Sequence, residues 1–158
     1  MRRVTAEATL ALGVQLPLGV AVGLAWAHLS PNPPAVWAGT VWAAESDFGF
    51  RAAADAWFAV LGAGVGLVVG IYLTLRARQS RPLSRLAWWL AGAMLGSGTA
   101  YLTGLLVTGS MGVATEVGQM VAAAPLNLTA LGAGLAWPVV AMAVTALATA
   151  LRALFARQ

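Results

Sequence analysis

Residues 50–75 read FRAAADAWFAVLGAGVGLVVGIYLTL. The part from Ala56 to Leu75 is uncharged, and a helix rising 1.5 Å per residue needs about 20 such residues to cross a ~30 Å hydrocarbon core. Within it Gly62, Gly66 and Gly70 recur at every fourth position, with Gly64 beside them. That is the small-residue ridge that lets a second membrane helix come close, whether in the same chain or in a dimer. Asp55, just upstream, suits an N-cap: its carboxylate would face the unpaired N–H groups and the positive end of the helix dipole. Arg51 is spaced to pair with Asp55, or across a turn with Glu45 or Asp47. Trp57 and Phe58 suit the bilayer interface.

Three further uncharged runs are of similar length, Ala8–His28, Leu86–Thr108 and Thr129–Leu151. The chain of 158 residues is 60% hydrophobic and 9% charged, against about 45–50% apolar and 25% charged in soluble domains. The expected fold class is therefore an all-α membrane protein: one transmembrane domain over 1–158, a four-helix bundle with helices at about 8–28, 56–75, 86–108 and 129–151. The connections are 29–55, 76–85 and 109–128. Cysteine is absent and all nine basic residues are arginine; with the abundance of Ala, Gly and Val this points to a GC-rich bacterial genome.

The arginines fix the expected orientation. Arg2 and Arg3, then Arg76, Arg78, Arg81 and Arg85, then Arg152 and Arg157 fall on one side of the spans, and only Arg51 falls on the other. The positive-inside rule makes both termini and the 76–85 loop cytoplasmic, in a bacterial plasma membrane. The net charge of +4 is accounted for by this bias, with no nucleic-acid partner. Orientation alone accounts for Arg76, Arg78, Arg81 and Arg85; the alternative is attraction of anionic lipid headgroups, at about 1 kcal/mol each. Ala25-Trp26-Ala27 also fits a signal-cleavage pattern, but the apolar run before it is longer than the ~7–15 residues of a signal core, so an uncleaved first span is expected.

Gln15, Gly19 and Gly23 stack on one helix face, which turns the Gln15 amide into the bundle. By depth its expected neighbour is Thr145 on the fourth span. In the third span Gly92, Gly96, Ala100 and Gly104 form another ridge, with Ser97, Tyr101 and Thr108 on a neighbouring stripe. Such hydroxyls can line a path or bond back to their own helix. Pro138 predicts a kink in the fourth span, and Asn127 or Thr129 a cap at its start. Outside the membrane, Val36–Trp42 and Phe48–Phe50 predict a small β-hairpin turning at 45–47, anchored by Trp37 and Trp42; a short helix through Phe50–Asp55 is the alternative. Val113, Val117, Met120 and Val121 predict a surface-lying amphipathic helix.

The run FRAAADAWFAVLGAGVGLVVG after a Trp-rich segment resembles small actinobacterial four-helix membrane proteins of uncharacterised function. Asp55, Phe58 and the glycine ridge carry the likeness, over the first half of the chain. The resemblance implies a plasma-membrane protein and transfers no catalytic residue. The residues themselves provide no serine–histidine–acid set, no phosphate-binding loop and a single histidine, His28, so no enzyme activity, cofactor or metal is expected. Two functions remain. The first is an accessory or scaffold subunit acting on a protein partner, or on its own copy, through helix contacts and an external site at Trp37, Trp42, Arg51 and Asp55. The second is a small channel or carrier for an uncharged or weakly polar solute, lined by Gln15, Ser97, Tyr101 and Thr145.

Overall fold

The computed structural model describes residues 2–31, 35–37, 42–44, 48–76, 82–111, 120–121, 126 and 128–155. Helices dominate: α1 (Arg2–Leu29), α2 (Phe48–Arg76), α3 (Pro82–Met111), the single turn α4 (Leu131–Gly134) and α5 (Ala136–Phe155). Four stretches within them are long and apolar enough to cross a membrane, Ala6–Leu29, Gly49–Arg76, Arg85–Gly109 and Ala136–Phe155. α1, α2 and α3 outrun their uncharged runs, and in α2 the alanine-rich flank Ala52-Ala53-Ala54 favours that extension. The start of α2 at Phe48 is the consequential case, since it places Asp55 two turns inside the helix and not at its cap. Gly109 likewise lies inside α3.

The expected hairpin is corrected. Phe48–Phe50 form the first turn of α2 and no second strand. Backbone pairing instead joins β1 (Ala35–Trp37) to β2 (Trp42–Ala44), with Trp37 opposite Trp42, and joins β1 to β3 (Met120–Val121). Met120 and Val121 are thus strand residues, and the rest of the expected amphipathic helix, like the 45–47 turn, lies outside the described residues.

Helix pairing follows the glycine ridges. The most extensive contacts are α1 with α3 and α2 with α5, while α1 touches α2 and α3 touches α5 more lightly; among the described residues α1 and α5 do not touch. Gly19 faces the Gly96 carbonyl oxygen and Gly23 that of Ala100, so α1 and α3 run parallel at a constant register. A Cβ at Gly96 would stand 2.9 Å from the Gln15 carbonyl oxygen, and one at Gly70 would stand 2.7 Å from Val144 Cβ. Gly66 similarly faces the Trp137 carbonyl. The α1 and α3 ridges are therefore buried against each other and the α2 ridge against α5 within a single chain, the small residues letting the helices come close. Gly13, Gly64 and Gly98 meet nothing within 4 Å and lie off these faces.

The buried side chains form two clusters. One gathers Val22, Trp26, Ala54, Phe58, Ala93, Ala100, Leu126 and Trp137; the other gathers Ala11, Val69, Leu73, Trp89 and Ala141. Trp26 is wholly buried, with its indole N–H donated to Ala54 O at 2.8 Å and its ring edge-on to Phe58 at 4.9 Å. Phe58 is thus a core residue and not an interface anchor, whereas Trp57 is 39% exposed. The pair Trp88-Trp89 divides the same way: Trp89 packs on Tyr72 at 4.9 Å, and Trp88 faces outward. Cleavage after Ala27 would remove Trp26 and the whole α1 face of the bundle.

Candidate functional site

The polar groups that matter lie at three levels of the bundle. At the end that holds the α2–α3 connection, Arg85 joins three helices. Its Nη2 and Nε donate to Glu7 Oε1 of α1 at 2.6 and 3.2 Å, and its Nη1 donates to Arg76 O, the last residue of α2, at 3.0 Å. Arg152 of α5 donates to Thr74 O at 2.8 Å. Helix C-termini leave carbonyls without intrahelical donors, and cations there also complement the dipole, so two arginines from neighbouring helices close the end of α2. Arg76 itself stacks over Tyr72, 5.5 Å from the ring centroid. Arg78 and Arg81 lie outside the described residues.

At the opposite end Asp55 is 8% exposed, with its carboxylate turned to the chain leading into α4. Oδ1 accepts from the Thr129 N–H at 3.1 Å, and Oδ2 accepts from the Thr129 hydroxyl at 2.5 Å and the Ala130 N–H at 2.8 Å. Arg51, whose other expected partners Glu45 and Asp47 lie outside the described residues, makes no ion pair with Asp55, and the expectation that Asp55 caps its own helix is overturned. Its partners come from 74 and 75 residues away, and Arg51 is exposed. The expected cap by Thr129 is also corrected, because the N-cap of α4 is Ala130, which makes no side-chain cap bond. Asp55 fixes this extended approach in place of a local cap. Trp37 and Trp42 stand opposite one another in the β1–β2 ladder.

The middle level centres on a break. Between α4 and α5, Leu135 interrupts the helix, three residues before the buried Pro138. Proline has no N–H to give the carbonyl four residues back, which is Gly134 O. Ser97 Oγ of α3 donates to that oxygen at 2.6 Å, so the serine replaces the donor that proline removed. We therefore expect Ser97→Ala to cost about 1 kcal/mol or more, and much less in a Pro138→Ala background, where the backbone regains the missing N–H. A double-mutant cycle on thermal unfolding of the full chain measures that coupling; additive costs would refute it.

The other intramembrane candidates are dispersed. Gln15 is wholly buried, and its Nε2 donates to Trp89 O of α3 at 3.3 Å. It does not meet Thr145, whose hydroxyl bonds back to Ala141 O at 2.8 Å on α5. Equal depth on two helices fails as a guide when those helices lie on the bundle diagonal, as α1 and α5 do. Tyr101 packs by its ring near Trp26, with centroids 6.2 Å apart. Thr108 is buried, donating to Gly104 O at 2.8 Å while accepting from Leu126 N at 3.1 Å. Gln15, Ser97, Tyr101 and Thr145 therefore do not converge as one lining.

Sequence reasoning gave no site role to Glu7, Arg152 or Trp137. Glu7 had a legible signal, as an acid among the arginines of its side of the membrane. Trp137 had a subtler one, a large ring one residue before a proline within an apolar run; that it packs against glycines of α2 and α3 is visible only in the structure. Among the described residues no cluster of three or more His, Asp or Glu could hold a metal.

Four apolar spans joined in this way define a multi-pass helical bundle suited to a lipid bilayer. No family model, no curated protein and no solved structure matches the chain.

Proposed function

We propose that the protein is a non-enzymatic accessory or scaffold subunit of a bacterial plasma membrane, with both termini cytoplasmic, working through contacts of its outer surface. The observation that carries this reading is the engagement of the intramembrane hydroxyls. Ser97, Thr108 and Thr145 each hydrogen-bond to backbone carbonyls, and the glycine ridges are taken up between α1 and α3 and between α2 and α5. What is left for recognition is the outside. Arg51 is exposed in the first turns of α2, whereas Asp55 belongs to the bundle's internal ties. The gathering of Arg76, Arg85 and Arg152 at the other end supports the cytoplasmic assignment of that end, where anionic headgroups are the expected lipid contact. The likeness to actinobacterial four-helix proteins fits the same reading.

Photo-crosslinking residues placed singly at positions 37, 42 and 51 of the full chain in cells test it. A discrete adduct to a partner protein or a second copy is expected at one or more of them, and not from Gly64 on the flank of α2. Absence of any adduct from a folded, inserted protein would remove the proposal.

The second reading, passage of a small neutral solute, has one observation on its side: Gln15 Oε1 is buried without a partner among the described residues. Solute flux into liposomes that collapses on Gln15→Leu would establish it in place of the first.

A further inference from the structure

Two complementary polar atoms lie buried in the middle of the bundle without a hydrogen-bond partner among the described residues, Gln15 Oε1 and Trp137 Nε1. The amide orientation of Gln15 is set by its neighbour: Trp89 O can only accept, so the nitrogen must face it, and Oε1 is left as an acceptor. The indole N–H of Trp137 can only donate.

Both side chains pack on adjacent turns of one α3 face. Gln15 Cγ lies 3.2 Å from where a Cβ would stand on Gly92, and the Trp137 ring atoms Cη2 and Cζ2 lie 3.0 and 3.3 Å from the equivalent point on Gly96. Gly92 and Gly96 are about one helical turn apart, some 5–6 Å. This is also the level at which the two apolar clusters adjoin, with Val65 packed against both.

In hydrocarbon an unpaired polar group is costly, and a donor and an acceptor on adjacent turns of one helix face share one remedy. We infer that Gln15 Oε1 and Trp137 Nε1 form a buried site for a single small neutral molecule, water, which donates to the amide oxygen and accepts from the indole N–H. The amide oxygen and the indole N–H supply two of the two to four partners that a buried water takes. A charged ligand does not suit the level, since Glu7 and Arg85 are tied together at one end of the bundle and Asp55 is tied to Thr129 and Ala130 at the other.

The test uses the full chain in lipid nanodiscs with 15N-labelled tryptophan, the Trp137 indole resonance being assigned by its disappearance in Trp137→Phe. A cross-relaxation peak between the Trp137 indole proton and water is expected despite burial. Gln15→Met should abolish that peak and move the indole resonance. If Gln15→Met does not fold, Gln15→Asn, which draws the amide back by one methylene, should do the same. No water peak in the unsubstituted protein would overturn the site. So would a water peak indifferent to both Gln15 variants, or a scalar coupling that reports a direct indole-to-amide hydrogen bond.

Discussion

Replacing Gly19 by leucine is expected to abolish the native bundle, and replacing it by alanine to weaken it. The methyl group of alanine would press on the Gly96 carbonyl oxygen and stand 3.0 Å from Thr99 Cβ. A backbone carbonyl inside a helix cannot rotate away, so α1 and α3 must separate along their shared ridge. Overpacking of this kind costs about 1–3 kcal/mol for small additions, from which the better helix propensity of alanine returns up to about 1 kcal/mol. Leucine recovers nearly as much propensity but adds three more carbon atoms, which this contact has no room for. The decisive comparison is with Gly13→Ala, Gly64→Ala and Gly98→Ala, where nothing lies within 4 Å. Those three should be neutral, or stabilising by up to about 1 kcal/mol. Thermal unfolding in one detergent, followed by circular dichroism, separates the two groups. Equal behaviour of Gly19 and Gly64 would show that the ridge does not hold α1 to α3.

The second large effect is expected at Asp55. Substitution by alanine strands two backbone N–H groups and one hydroxyl that now converge on the carboxylate. Leaving a buried donor unpaired costs about 1–3 kcal/mol. Partial access of water limits the sum, and a loss of about 3 kcal/mol is expected. Asp55→Asn keeps one acceptor oxygen and should fall between, while Thr129→Val removes only the hydroxyl bond and should cost least. A cysteine placed at Thr129 would report the same event by accessibility. The chain has no cysteine of its own, so a membrane-impermeant maleimide should label that position faster once Asp55 is replaced. Unchanged stability and labelling in Asp55→Ala would mean that the carboxylate does not secure the approach to α4.

Both predictions concern groups that were visible in the sequence, but with different completeness. The four spans and the ridge residues follow from local rules, since an uncharged run must meet lipid and glycines four apart must share a helix face. The inward turn of Gln15 follows for the same reason. The sequence could not say which ridge meets which. Gly19 and Gly23 fit against Gly96 and Ala100 because backbones must interlock at one register, and that choice is made between helices far apart in the chain. Thr145 illustrates the limit: depth matched it with Gln15, but its helix lies diagonally across the bundle.

Asp55, just ahead of the second span, changed most. Local chemistry made it a cap for the helix it precedes, because an acid before an apolar run usually finds the nearest unpaired N–H groups. Tertiary structure moved the helix start back to Phe48 and gave those N–H groups intrahelical context, leaving the carboxylate free for Thr129 and Ala130. Ser97 shows the same logic from the other side. Pro138 announced a missing donor in the sequence, yet only the placement of α3 beside α4 decided which side chain would supply it. The sequence by itself determined how many helices cross, which faces pack closely, and where backbone bonding would fail. The tertiary structure decided who answers each of those needs, because in hydrocarbon the partner is whichever polar group the packing of other helices brings within reach.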